Sequence, residues 1–354
     1  MDGRKRLILV VTGSVAATKT LPLIGALRAS GCDVTVLLTP AAEKYKWVSA
    51  AEAEAASGHK VLADFADASP LKENSSPAHA ILVAPASADF ISQLAFASSE
   101  RAREILAARE RGSLLMIAPA MNTKMWEHPA VRRNCGALKK KGVVFLGPVK
   151  GHLACDVEGF GRMIGVEEIA EGADAAFAGK QHPALALYKA ARREERKKIS
   201  FSPPESGARI LVALGGENVS WDAVEKLAAE IDKSGADAEY ILDSSWAERC
   251  DALKKLTGQT VVSDYFQLPE LKGLEHIKLP ERANGVFIPF LDDTLAEKMV
   301  QGRADTLFLA AYLASKAPVI TTKECLQTLS PSRALQLRQD GMCVIDDASQ
   351  LART

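Results

Sequence analysis

The stretch IAPAMNTKMWEHPA, from Ile117, sets an amide, a thioether and an indole close together at Asn122, Met125 and Trp126. An amide can donate to a carboxylate without adding a charge that would hold the carboxylate back from leaving. Met125 and Trp126 read equally well as the wall of a pocket or as core. Two further turns could hold an anion. In VTGSVAATK, Gly13 and Ser14 stand between a strand and a helix N-terminus, where backbone N–H groups and the helix dipole favour negative charge. In PASAD, Ser87 ends another strand at the carboxyl edge of a sheet. The first turn lacks both GxGxxG and GK[ST], so neither a dinucleotide nor a nucleoside triphosphate is indicated. By itself it reads as a phosphate site or a packing turn alike.

These residues need strands and helices to position them. LILVV, a helical TLPLIGALRASG and CDVTVLLTP open a βαβ unit. AILVAPAS (80–87), SLLMIAPAMN (113–122) and GVVFLGP (142–148) are expected as further buried strands. Strands alternating with helices imply a parallel sheet covered on both faces.

The order repeats from residue 209, with RILVALGG, SWDAVEKLAAEIDKSG, ADAEYILD, NGVFIPF, APVIT and GMCVID. We therefore expect two α/β units of three-layer flavodoxin/Rossmann-like form in tandem, at 1–170 and 209–354. A charged helical run and a Pro/Ser/Gly linker lie between them at 171–208. In the second unit the anion turn reads LGGENVSW. Gly216 is taken as the counterpart of Ser14, and Glu217 puts a carboxylate beside the turn. The counterpart of PASAD is the acidic FLDDT, and that of Asn122 is Leu326. The second unit reads as having lost its phosphate site. It carries His276, whose counterpart in the first unit is Leu71, and Gly302 and Asp305 in VQGRADTL where the first unit has FASSERAR.

The chain has 354 residues, and its basic and acidic residues balance at 44 each. Charge therefore gives no pointer to nucleic acid or an anionic membrane. Six scattered cysteines show no CxxC pair and no metal-ligand spacing, which suggests free thiols, a reducing compartment and no metal. The N-terminal MDGRKRLILVVTGSVAA is better read as a strand entering a turn than as a signal peptide. A cytoplasmic location with no membrane span is expected.

TGSVAATK, APASAD, APAMNTKMWEHPA and GHLACDVEGFGRM together resemble the flavin-containing cysteine decarboxylases, and most of all those acting on phosphopantothenoylcysteine. The likeness covers about residues 7–165. The second unit looks like a more diverged copy. The resemblance implies FMN held by Gly13, Ser14, Thr39, Ser87 and Ala88. It implies substrate held by Met121, Asn122, Met125 and Trp126, with His276, Asn122 and Cys155 catalytic. It also implies trimer-like packing of units in a homo-oligomer and a small-molecule substrate. In that chemistry the flavin oxidises the cysteine side chain to a thioaldehyde, which is the electron sink for loss of CO₂. The resulting enethiol is then reduced by the same flavin, with Cys155 as the acid. The product would be 4′-phosphopantetheine, in coenzyme A biosynthesis. Two departures stand out: Asp156 replaces the glycine of the usual ACG, and the first unit lacks the histidine. A peptidyl-cysteine decarboxylase and a non-catalytic regulatory flavoprotein-like subunit are the alternatives.

Overall fold

The structure is a computed structural model that describes residues 5–62, 78–154, 157–190, 201–204, 207–217, 219–271 and 273–352. The chain divides into two compact units, residues 1–126 with 131–193, and residues 127–130 with 194–354.

In the first unit the main sheet is formed by β1 (Lys5–Val11), β2 (Cys32–Leu38), β3 (Ala80–Ala86), β4 (Leu114–Pro119) and β5 (Val144–Phe145). They lie in the order β2-β1-β3-β4-β5, all parallel. Leu62 adds a parallel bridge to Leu37, beyond β2. Helices cover both faces, so β1 and β3 are apolar runs without alternation, and every residue from Leu7 to Val11 is buried. From β1 the chain turns to β2 on one side and to β3 on the other. This reversal is the switch point where the carboxyl ends of parallel strands open a crevice. The helices that start there are capped by their own hydroxyls, as at Thr39 for Pro40–Tyr45 and Ser87 for Ala88–Phe96.

The strand expected over 142–148 is shorter than its apolar run. Only Val144 and Phe145 pair with β4. Gly147 has φ +85, which turns the chain out of the ladder, and a Cβ there would lie 2.7 Å from Ile164 Cγ2. The chain then forms an antiparallel hairpin of β6 (Val149–His152) and β7 (Glu158–Arg162).

The second unit has β8 (Arg209–Leu214), β9 (Asp237–Leu242), β10 (Val261–Val262), β11 (Gly285–Phe287), β12 (Val319–Thr322) and β13 (Cys343–Ile345). Their order is β10-β9-β8-β11-β12-β13, again all parallel. With the Leu62 bridge in the place of β10, the two sheets have one topology. The fastenings also recur. Arg6 N–H donates to His79 Nδ1 at 2.9 Å, and Arg209 N–H donates to Asn284 Oδ1 at 2.8 Å. Thr39 N–H reaches Val11 O at 3.0 Å, and Asp243 N–H reaches Leu214 O at 2.8 Å.

This register corrects one sequence expectation. Leu7 pairs with Ala80 and Ile210 with Gly285. Counting on from those pairs, Gly216 matches Gly13, and Glu217, not Gly216, matches Ser14. Adjacent glycines leave a slip of one residue invisible in the sequence, whereas strand pairing forbids it.

Candidate active site

At the carboxyl edge of the first unit, Thr12 ties the ends of β1 and β3 together. Its hydroxyl donates to Pro85 O at 2.7 Å and accepts from Ser87 N–H at 3.0 Å. Sequence reading passed over Thr12; a hydroxyl directly before the Gly-Ser turn is the signal that could have found it. Gly13 faces the start of the helix Pro40–Tyr45, and a Cβ there would lie 2.6 Å from Ala41 Cβ. Only glycine lets the turn pass so close. Ser14 Oγ accepts from Ala16 N–H at 3.4 Å, Thr39 Oγ1 from Ala42 N–H at 3.3 Å, and Ser87 Oγ from Phe90 N–H at 3.2 Å. Each cap uses a lone pair and leaves the O–H proton as a donor. The fold thus gathers Gly13, Ser14, Thr39, Ser87 and the buried Ala88 around the ends of β1, β2 and β3.

Asn122 follows β4. Ala120 N–H donates to Ala86 O at 3.0 Å, which holds this segment beside the end of β3. Asn122 Oδ1 accepts from Met125 N–H at 2.9 Å and starts the helix Thr123–Glu127. Its Nδ2 is buried and has no partner among the described residues. The amide is therefore fixed by its oxygen, and its donor is left over. Met125 and Trp126 are buried, at 7% and 1% exposed. The Trp126 ring meets Tyr188 edge-on at 6.1 Å, and the Arg132 guanidinium lies over it at 4.9 Å. Of the two readings left open for Trp126, this packing favours core.

The hairpin docks on the same segment through glycine. Met121 N–H donates to Gly161 O at 3.0 Å. A Cβ on Gly161 (φ +124) would lie 2.3 Å from Met121 O, and one on Gly159 would lie 2.1 Å from Thr123 Oγ1. Leu153 N–H closes the turn onto Val157 O at 3.0 Å. Cys155 and Asp156 fall between those two residues and outside the described ones. Cys135 is pushed up to about 12 by burial, and burial also raises Cys32, Cys325 and Cys343. Those four thiols are poor acids near neutral pH.

In the second unit His276 stands on the helix Glu275–Arg282, beside fully buried Glu275. The Tyr265 ring meets the imidazole at 5.3 Å and 68°. The residue as a whole is half-buried, but Nδ1 is buried and has no partner among the described residues. Burial pushes the pKa of His276 down to about 4, so the imidazole is neutral at physiological pH and able to accept a proton. Leu71, its counterpart in the first unit, lies outside the described residues. Leu326, in the place of Asn122, is buried.

The model of the flavoprotein family matches residues 1–177, half of the chain. The chain belongs to the flavoprotein family. This flavoprotein is similar to the coenzyme A biosynthesis bifunctional protein CoaBC of Bacillus subtilis, with 35% identity over 268 residues, covering 72% of this chain and 65% of that one. The protein of the same name from Haemophilus influenzae is 34% identical over 192 residues, covering 50% of this chain and 45% of that one. The flavoprotein thus spans about half to two thirds of the length of these relatives. Among solved structures, a PPC decarboxylase mutant complexed with pantothenoylaminoethenethiol is 23% identical, with a TM-score of 0.43, over 49% of this chain and 99% of that one. The FMN-binding protein AtHal3 is 24% identical, with a TM-score of 0.41, over 51% of this chain and 100% of that one.

Proposed function

We propose that the protein is an FMN-dependent decarboxylase that converts 4′-phosphopantothenoylcysteine to 4′-phosphopantetheine in coenzyme A biosynthesis. The observation that carries this reading is the buried amide donor of Asn122, unpartnered among the described residues and held beside the end of β3. Ser87, one of the hydroxyls of the anion turn, directly follows β3. Similarity to the CoaBC protein of Bacillus subtilis over 72% of this chain supports it. The residues of the first unit suit a phosphate monoester such as that of FMN, because Ser14, Thr39 and Ser87 each keep a hydroxyl proton to give. Bound FMN would supply two-electron redox chemistry at the cysteine carbon and sulfur. Asn122 holds and orients the substrate carboxylate without a countercharge. Neutral His276 takes the proton from the substrate thiol, and Cys155 returns one.

The tandem arrangement belongs to the same proposal. Two sheets of one topology and matching strand fastenings support a second diverged copy that has kept its histidine and given up its own ligand site. A homo-oligomer with trimer-like packing of units would let one unit's histidine meet another's Asn122. Free buried cysteines suit a reducing, cytoplasmic compartment.

The test is CO₂ release from phosphopantothenoylcysteine by the purified chain, with a peptide ending in cysteine offered in parallel. Release from the peptide alone would move the substrate to the peptidyl class. Bound flavin with no CO₂ from either would support the regulatory reading.

A further inference from the structure

In the first unit, hydroxyls cap the helices that start at the anion turn; in the second unit, carboxylates take both places. The strand register matches Thr39 with Asp243 and Ser87 with Asp292. Asp243 caps the turn Ser244–Arg249 and accepts from Ser245 N–H at 3.1 Å. Asp292 does more than cap the helix Asp293–Gln301. Its Oδ1 accepts from Leu295 N–H at 2.7 Å, while its Oδ2 accepts from the backbone N–H of Glu217. Glu217 is the residue in the place of Ser14. A Cβ on Gly216 would lie 3.3 Å from the same Oδ2, so the carboxylate fills the mouth of the turn. In the first unit the corresponding amide, Ser14 N–H, donates to Thr12 O at 2.8 Å, and Ser87 Oγ accepts from Phe90 N–H at 3.2 Å.

We infer that the second turn is an oxyanion site occupied by the chain's own Asp292 carboxylate, which takes the place of a ligand's phosphate oxygen and shuts exogenous phosphate out. One carboxylate bridges the helix N-terminus and the turn amide, as a bound phosphate would. Among the described residues no three His, Cys, Asp or Glu side chains are grouped to hold a metal ion. The inference concerns the second unit alone and stands whether or not the first unit decarboxylates.

A local reporter exists. Trp246 Nε1–H donates to Gly216 O at 2.8 Å, and the Arg249 guanidinium lies 4.5 Å over its ring. The probe is inorganic phosphate, titrated into the full chain while tryptophan fluorescence is followed. The wild-type protein should show no phosphate response that W246F removes. D292S gives the second turn the cap of the first and opens it. This variant should gain a saturable response in the millimolar range, weakened by the remaining Glu217, and D292S/W246F should lose it. A folded D292S that ignores phosphate would overturn the inference and reduce Asp292 to a helix cap. Should D292S fail to fold, the wild-type protein still decides: a phosphate response that depends on Trp246 there would show the turn to be open.

Discussion

At the scale of single residues, the site depends on side chains fixed on one side and free on the other. Asn122 is held through its oxygen, so Asn122→Asp keeps the bond to Met125 N–H and should fold. It also sets a carboxylate against the substrate's carboxylate. Decarboxylation should fall to background with flavin still bound, read by CO₂ release and visible absorbance. His276→Asn removes the proposed base and should cost about 10²- to 10⁴-fold in kcat. The same substitution has a signature in stability. Burial holds His276 at about 4 against its ordinary 6.5. As pH falls, the unfolded chain takes up this proton first, so the histidine's contribution is full above 6.5 and is lost between 6.5 and about 4. Urea unfolding across that interval should show a shallower decline in stability for His276→Asn than for the wild-type protein. An unchanged slope would mean that the imidazole is not desolvated.

At the scale of elements, the hairpin of β6 and β7 is pinned to the Asn122 segment by positions that admit no side chain. Gly161 combines a left-handed φ with direct contact on Met121 O. Gly161→Ala should cost about 1 kcal/mol or more, because both the strain and the clash fall on the folded state. The expected result is faster amide exchange in the hairpin and lower turnover, with the sheet strands still protected. If exchange quickened over the whole first unit instead, the hairpin would be part of the core and not a separately docked flap. Gly147 plays a different part: its turn ends β5 early and sends the chain into the hairpin.

At the scale of the molecule, two sheets of one topology carry different chemistry at the same edge. The first has hydroxyls around its turn and the second has carboxylates, so one FMN per chain is expected when released flavin is counted against protein. Two per chain would end the division of labour. If the site forms between chains, His276→Asn and Asn122→Asp proteins, each inactive alone, should regain part of their activity when dissociated and reassembled together. Mixing without recovery would confine the site to one chain. A fully active monomer by light scattering would give the same answer.

The alternating strands and helices, the Gly-Ser turn and the cluster of Asn122, Met125 and Trp126 were all legible in the sequence. Apolar period and turn chemistry are local properties, written in consecutive residues. The recurrence of that strand order from residue 209 was legible for the same reason. Register was not: Gly215 and Gly216 are alike as letters, and only the pairing of β8 with β11 says which of them faces the part of Gly13. Nor could sequence choose between pocket wall and core for Trp126, since the choice depends on Tyr188 and Arg132, which come from other elements. An acidic FLDDT suggested repulsion of phosphate, but the contact of Asp292 with the amide of Glu217 joins residues far apart in the chain. Hydrogen bonds and burial between distant segments exist only once the sheet has aligned its strands, and it is there that the tertiary structure decided what the residue types had left open.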